Sequence, residues 1–403
     1  MPQHESSKDS GISRRQFVQG AALGLAAAYL GSPKARAEQA GPLPEPIVTG
    51  HSVEICMNSR VCSHSGLTGT ATDQQISNIL WAAGKAPVTG SFRTIYLKTP
   101  TATYIYHPES HELEYSSNGT VSNAFRINYD QERDFDAGVS YVLALWASVS
   151  LWSGTSSQLA SCPQMSDLNF GINSVGGLTS QLVAVSSDGT LPNPLTIGTD
   201  RMEEVLAKVR LCSALRADID LTPAQLSQLL WAGYGCTPHM TANNLAGLTV
   251  PSYQAGYFLT NRIYVVGPRV WRYCNHTGSN LATRNHRLEL VRDADVRPAL
   301  QQALPALPAA PCYVLLCLTQ TGLNTWYQRL ETGFAAGGML LQAEALGLGC
   351  DFQAALAGSE QTALKQITQI PAADYPHAVV AVAHLPSSPS TDWHARPQNG
   401  AVQ

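Results

Sequence analysis

One block of this 403-residue chain is spelled twice in the same register. Arg60, Cys62, Ser63, Thr72, Gln75, Ser77, Leu80, Trp81 and Ala82 return as Arg210, Cys212, Ser213, Thr222, Gln225, Ser227, Leu230, Trp231 and Ala232, always 150 positions later. The offset holds through Ile-Ser-Asn-Ile-Leu-Trp-Ala and Leu-Ser-Gln-Leu-Leu-Trp-Ala, so the chain reads as a tandem duplication of one domain. A solenoid would instead repeat at about 20–50 residues.

The punctuation agrees with two units. Pro42, Pro44 and Pro46 mark an extended lead-in over residues 38–50. The first unit spans 51–187, and the second spans 201–386. Asp188-Gly189, Pro192, Pro194 and Gly198 make 188–200 a junction, and the polar residues 387–403 form a loose tail. Within the first unit the apolar spacing of Ile76, Ile79, Leu80 and Ala83 predicts a helix over 73–84. Strands are expected at 94–98 and 103–107, a buried strand at 139–146 and a helix at 173–186. In the second unit Thr222 as N-cap and Pro223 at the first helical position open the matching helix. Strands are expected at 261–267, 270–273, 312–319 and 378–385, with helices at 297–304 and 325–348. The repeat continues through Tyr104-Ile105-Tyr106 and His111 against Trp271-Arg272-Tyr273 and His286. It extends to Tyr141 against Tyr313, and to Gly176-Gly177 against Gly337-Gly338. Helices and strands interleaved in this way point to a layered α+β or α/β architecture.

The first 37 residues decide where such a chain would work. Ser13-Arg14-Arg15-Gln16-Phe17 precedes a short Ala/Gly/Leu-rich run, and Ala35-Arg36-Ala37 supplies a small-x-small cleavage site. This pattern resembles a twin-arginine signal peptide, which implies a periplasmic protein. The pathway is used often by proteins that load a cofactor before export. The apolar run is shorter than the roughly 20 residues needed to span a bilayer, and no later segment is apolar enough to do so.

Composition removes several function classes. Beyond the leader the chain is more acidic than its formal −4, and no basic stripe interleaved with aromatics suggests nucleic acid. Nine cysteines include no Cys-x-x-Cys pair of the zinc type. Buried, inert thiols are their expected state, with one or two disulfides left open. His107, His111, His276 and His286 match no metal-ligand spacing, so no metal is expected. A redox thiol protein built on Cys62 or Cys212 is a minor alternative. Neither a nucleophile elbow nor a Walker-type loop is present.

Three segments of the second unit carry a family resemblance. Arg210-Leu211-Cys212-Ser213-Ala214-Leu215-Arg216 is followed by Leu226-Ser227-Gln228-Leu229-Leu230-Trp231-Ala232. Val250-Pro251-Ser252-Tyr253-Gln254-Ala255-Gly256-Tyr257-Phe258 leads into Tyr264-Val265-Val266. Glu331-Thr332-Gly333-Phe334 continues to Ala345-Leu346-Gly347-Leu348-Gly349. In order and spacing these resemble the nitroreductase-like flavoprotein superfamily, nearest its thiazole/oxazole dehydrogenase-like branch. The first unit matches more thinly, through Ile79–Gly84, Phe92-Arg93-Thr94 and Tyr104–Pro108.

The resemblance implies an α+β fold: two tandem nitroreductase-like units closing on each other as an intramolecular pseudo-dimer. It implies flavin mononucleotide (FMN) between them. Arg210, Ser213 and Arg216 would meet the phosphate, since guanidinium forks suit phosphate. Pro251, Ser252 and Gly256 would lie against the flavin ring, and Gly347 and Gly349 would shape the loop after the long helix. Tyr257 and Tyr327 are weak candidates for a catalytic proton donor. The branch's catalytic Lys-Tyr pair has no counterpart, because no lysine lies between Lys208 and Lys365. The expected function is therefore an exported FMN-dependent oxidoreductase acting on a small-molecule or peptide substrate, with an unassigned electron donor and one competent flavin site. The alternative is a flavin-free pseudoenzyme of the same fold, acting as a binding or assembly partner. The pseudo-dimer is self-contained, and higher oligomers are compatible with it.

Overall fold

The computed structural model describes residues 52–60, 73–87, 93–99, 102–119, 124–130, 132–151, 167–171, 198, 200–241 and 243–386. The leader, the lead-in, the tail, Cys62 and the helix expected at 173–186 with Gly176-Gly177 lie outside the described residues. Among the described residues no helix is long and apolar enough to cross a membrane.

The first half begins with helices α1 (Val53–Ser59) and α2 (Asp73–Gly84). Strands β1 (Arg93–Lys98), β2 (Ala102–His107), β3 (Glu112–Asn118) and β4 (Ala124–Tyr129) follow, then helix α3 (Asp134–Leu151) and strand β5 (Asp167–Gly171). They form an antiparallel sheet in the order β3-β2-β1-β4-β5.

The second half repeats that plan with additions. Helices α4 (Met202–Lys208) and α5 (Pro223–Tyr234) precede a small ribbon of β6 (Cys236–Met240) and β7 (Ala246–Leu248). Thr222 and Gln225 close a reciprocal capping box at the start of α5, with Pro223 beside it. Strands β8 (Ile263–Val266), β9 (Val270–Thr277) and β10 (Asn280–Arg292) follow, then α6 (Arg297–Ala303) and β11 (Cys312–Leu318). Helix α7 (Gln320–Leu323), helix α8 (Trp326–Ala345), strand β12 (Leu348–Ala354), helix α9 (Gly358–Thr368) and strand β13 (Tyr375–His384) complete the half. The sheet order is β10-β9-β8-β11-β13-β12, all antiparallel.

The two sheets agree residue by residue. In the first, one cross-strand row runs Leu113, Tyr106, Ile95, Ile127, Leu168. In the second, the corresponding row runs Leu288, Tyr273, Ile263, Leu316, Ala378. Both tyrosine hydroxyls share a hydrogen bond with the histidine two residues before the leucine. Tyr106 meets His111 Nδ1 at 2.8 Å, and Tyr273 meets His286 Nδ1 at 2.8 Å. The other ring nitrogen meets a helix serine in each half, Ser77 at 2.9 Å and Ser227 at 2.8 Å. A hairpin is thus tied to its helix by the same three side chains twice.

Between the sheets lies a continuous apolar core drawn from both halves. It includes Val53, Ile79, Phe125 and Trp146 from the first half, and Leu229, Ile263, Phe334 and Val380 from the second. The long helices α3 and α8 pack on each other through it. A Cβ on Gly138 would lie 3.0 Å from Gly333 Cα, and one on Gly333 would lie 3.0 Å from Gly138 Cα. A second cluster on the far face of the larger sheet holds Tyr264, Leu300, Leu315 and Leu364, covered by α6 and α9.

One expected element has the wrong type. Residues 139–146 belong to helix α3, not to a strand. Every side chain from Val139 to Trp146 is buried, so the run carries no polar face and its period is invisible. The helix extends beyond the run to 18 residues, and Asp134 and Asp136 occupy its first turn, where a helix favours acid. The expected match of Tyr141 with Tyr313 fails with it, since Tyr313 lies on β11. The match that the packing supports is α3 with α8.

Candidate functional site

At the amino-terminal end of α8, the chain from Pro251 to Arg262 forms a loop with four left-handed non-glycine residues. Gln254, Ala255, Tyr257 and Asn261 have φ of 50°, 54°, 48° and 55°. Such backbone costs on the order of 1 kcal/mol or more per residue and persists where its surroundings fix it. Here they do. Ser252 Oγ accepts from Tyr257 N at 2.8 Å, and Tyr257 donates its hydroxyl to the Ala246 carbonyl at 2.7 Å. Glu331 Oε1 accepts from Phe258 N at 2.8 Å and from the Tyr234 hydroxyl, which accepts from Leu259 N at 3.3 Å. Burial pushes the Glu331 carboxyl up to about 7, against the opposing pull of these donors. A Cβ on Gly256 would strike the Phe258 ring, so glycine there answers packing inside the loop. Above the loop, Tyr327 stacks on Tyr253 at 4.6 Å and 24° and packs on Phe258 at 5.2 Å.

At the other end of α8 the segment from Arg210 to Arg216 lies along the sheet. Cys212 N donates to the Cys350 carbonyl at 2.9 Å, and Arg216 N donates to the His384 carbonyl at 2.9 Å. Arg210 and Ser213 are exposed. Arg216 pairs with Asp218 at 2.6 Å. Gly349 sits under this segment, where a Cβ would lie 2.5 Å from Leu215 and 3.3 Å from Cys212 Cβ. Gly347 has φ 68° just past the end of α8, with nothing near it, and acts as a helix terminator.

The structure therefore sorts the expected residues into two groups. Pro251, Ser252, Gly256, Tyr257 and Tyr327 stand together at one end of α8. Arg210, Ser213, Arg216, Gly347 and Gly349 stand at the other. Glu331 and Ala345 alone are separated by about 20 Å of helix rise. Two residues to which motif reading assigned no role are central to this geometry. Glu331 organises the loop, and an acid just ahead of the apolar run Gly333–Leu341 is the signal that marks it. Arg60, the repeat partner of Arg210, is 1% exposed and donates to the Leu248 carbonyl of the second half at 2.8 and 3.1 Å. What faces solvent in one unit is committed to the seam in the other.

The remaining candidates have ordinary surroundings. The described cysteines are all unbridged. Burial raises the Cys56, Cys317 and Cys350 thiols well above their usual range, and pushes Cys236 and Cys312 up to about 12. Such thiols are poor nucleophiles. Among the described residues no group of three or more His, Cys, Asp and Glu side chains stands where it could hold a metal ion.

No family model matches the chain, and no curated protein matches it. Solved structures do. A nitroreductase-type protein from Anabaena variabilis aligns with 90% of this chain and 99% of its own at 12% identity, with a TM-score of 0.56. One from Ralstonia eutropha aligns with 53% of this chain and 97% of its own at 22% identity, with a TM-score of 0.40. An FMN-dependent nitroreductase from Clostridium difficile aligns with 46% of this chain and 87% of its own at 15% identity, with a TM-score of 0.32. The likeness to the Anabaena protein shows that the chain has a nitroreductase-like α+β fold.

Proposed function

We propose, from a nitroreductase-like fold that runs through both halves, that this protein is an exported FMN-dependent oxidoreductase built as an internal pseudo-dimer. The observation that carries the reading is the fold likeness over 90% of the chain, to which the two matched sheet rows add a duplicated origin. The leader of residues 1–37 supports passage to the periplasm by the twin-arginine route.

The Arg210 end fits a flavin phosphate by the chemistry of its donors. Arg210 and Ser213 are exposed, and Arg210 pairs with no carboxylate among the described residues. A permanently charged guanidinium and a hydroxyl suit a phosphate dianion. Arg216 would divide its fork between that anion and Asp218. FMN, when bound, supplies the hydride chemistry, while the protein supplies orientation and electrostatics. With the Ser252–Tyr257 loop about 20 Å away along α8, a phosphate held at Arg210 takes its ring-side wall from elsewhere, and the first half is the source that a pseudo-dimer provides. Arg60, spent on Leu248, supports one competent site per chain. Tyr257 is a weak proton donor in this reading, because its hydroxyl already serves Ala246. Tyr327, stacked on Tyr253, is placed to contact a planar substrate. The substrate is a small molecule or peptide.

The test is the visible spectrum of the purified exported chain, followed by release and identification of its chromophore. About one FMN per chain is expected, lost on Arg210→Ala with Ser213→Ala in a variant whose far-ultraviolet circular dichroism matches the parent. A chain that stays colourless with added FMN supports the flavin-free binding partner of the same fold instead.

A further inference from the structure

Glu331 lies wholly buried under the strained loop, and its two carboxyl oxygens are used unequally. Oε1 takes both donors, Phe258 N and the Tyr234 hydroxyl, while Oε2 has no hydrogen-bond partner. An ionised carboxylate with one bare oxygen is costly away from water, and a proton on that oxygen removes the cost. Burial accordingly holds this carboxyl at about 7, above its ordinary 4.5.

The loop above it is poised to move. Several of its hydrogen bonds close on the loop itself: Tyr257 N to Ser252 Oγ, Gly256 N to the Tyr253 carbonyl and Thr260 N to the Tyr257 carbonyl. Two that leave it, from Phe258 N and Leu259 N, converge on Glu331, the second by way of Tyr234. Left-handed Gln254, Ala255 and Tyr257 hold strain that opening would release. The same loop carries the Tyr253 ring stacked on Tyr327. With the β9–β10 hairpin it also walls a cleft of about 570 Å³.

We infer that Glu331 is the latch of a pH-gated loop, with residues 252–259 closed while the carboxyl keeps its proton and opening as that proton passes to water. Opening wets the carboxyl and restores its ordinary ionisation. The opening equilibrium therefore rises about tenfold per pH unit between about 4.5 and 7, and is level above. The neighbouring groups do not supply this sense. Burial and Glu331 raise the Tyr234 hydroxyl well above its usual range, so it keeps its proton. His276, packed on Tyr257, is lowered to about 4, and His377, bonded to Thr332, to about 3. Both are neutral when folded, so both favour opening in acid. Burial raises Asp134 of α3 as it does Glu331, but the Asp134 bonds run to Arg329 and Tyr129 rather than to the loop.

Amide exchange of the full chain tests this, read by mass spectrometry on peptides covering Tyr253–Thr260 and corrected for intrinsic rates. Between pH 5.5 and 7.5 their protection should fall about twentyfold, staying at least tenfold below that of β11. Glu331→Gln keeps an acceptor without the titration and should be level over this range. Tyr234→Phe withdraws a donor that favours the ionised form, so protection should go on falling above pH 7. A fall below fivefold in the parent overturns the inference, and so does an equal slope in Glu331→Gln. Loop protection equal to that of β11 overturns it too, as does levelling at an unchanged pH in Tyr234→Phe. The exchange reads the same with or without a bound chromophore, so its failure is distinct from failure of the flavin reading.

Discussion

Gly138 of α3 and Gly333 of α8 are mutual contacts at one helix crossing, each facing the carbonyl three residues before the other. A side chain on Gly138 would strike the Leu330 carbonyl, and one on Gly333 would strike that of Phe135. This reciprocity is what a two-fold axis produces in an isologous interface, and it supports the proposed pseudo-dimer. Overpacking against backbone cannot be relieved by a rotamer change. Gly333→Ala should cost about 3 kcal/mol. Gly358→Ala, at the open first turn of α9, should change stability by less than about 0.5 kcal/mol. Urea midpoints of the two variants check the contrast.

Four residues before each of these glycines stand Asp134 and Arg329, and they pair across the crossing at 2.6 Å. Tyr129 also donates to Asp134 at 2.9 Å, and the carboxylate is 2% exposed. A symmetric homodimer would bring like charges to these matched positions, whereas a fused pair can bear opposite ones. Arg329→Met strands a buried carboxylate. Because Arg329 keeps some contact with water, about 2–4 kcal/mol is expected rather than the full cost of a wholly buried pair. The exchange Asp134→Arg with Arg329→Asp should recover part of what either single change loses, as a double-mutant cycle by denaturation would show.

His286 is held between Ser227 and Tyr273 as a neutral ring, its pKa lowered to about 4 by burial. The unfolded chain binds a proton there below about pH 6.5, and the folded chain does not. Stability from this site is therefore complete above about pH 6.5 and is lost as pH falls toward 4. His377 and His239, both lowered to about 3 by burial, act in the same direction. His286→Gln should make the acid limb of the stability profile shallower by about one proton, measured as urea midpoint against pH.

Glu331 has the opposite slope. Its folded pKa, near 7, lies above the ordinary 4.5, so the folded state holds a proton that the unfolded state releases. Its unfavourable contribution grows as pH rises from about 4.5 to 7 and is about 3 kcal/mol beyond that. Glu331→Gln keeps an acceptor for Phe258 N and Tyr234 and should remove this slope. Glu331→Ala leaves both donors unmet, should cost about 2 kcal/mol, and should speed proteolysis between Tyr253 and Phe258.

Local rules made several of these features readable from the sequence. Thr222, Pro223 and Gln225 announced α5 because capping acts within one turn, and Ile76, Ile79, Leu80 and Ala83 announced α2 because one face of that helix is buried. Strand β11 was readable as a short apolar run. Helix α3 defeated the same reasoning: packed on every side, it has no polar face to reveal its period, and Tyr141 was matched with a strand tyrosine in consequence. Among the site candidates, Ser252, Gly256 and Tyr257 are neighbours in sequence and in space. Their distance from Gly349 is set by the length of α8, and Arg210 comes to that far end only through the bonds of Cys212 and Arg216 to β12 and β13.

The sequence by itself determined that one pattern is used twice, because register between Arg60–Ala82 and Arg210–Ala232 survives without any partner. Tertiary structure alone decided what each copy became. Arg60 met a carbonyl of the other half and was closed off, while Arg210 met solvent. Likewise Glu331 became the anchor of a strained loop through donors that lie 73 and 97 positions away in the chain. Burial and long-range hydrogen bonds fix such fates, and both arise only when distant segments meet.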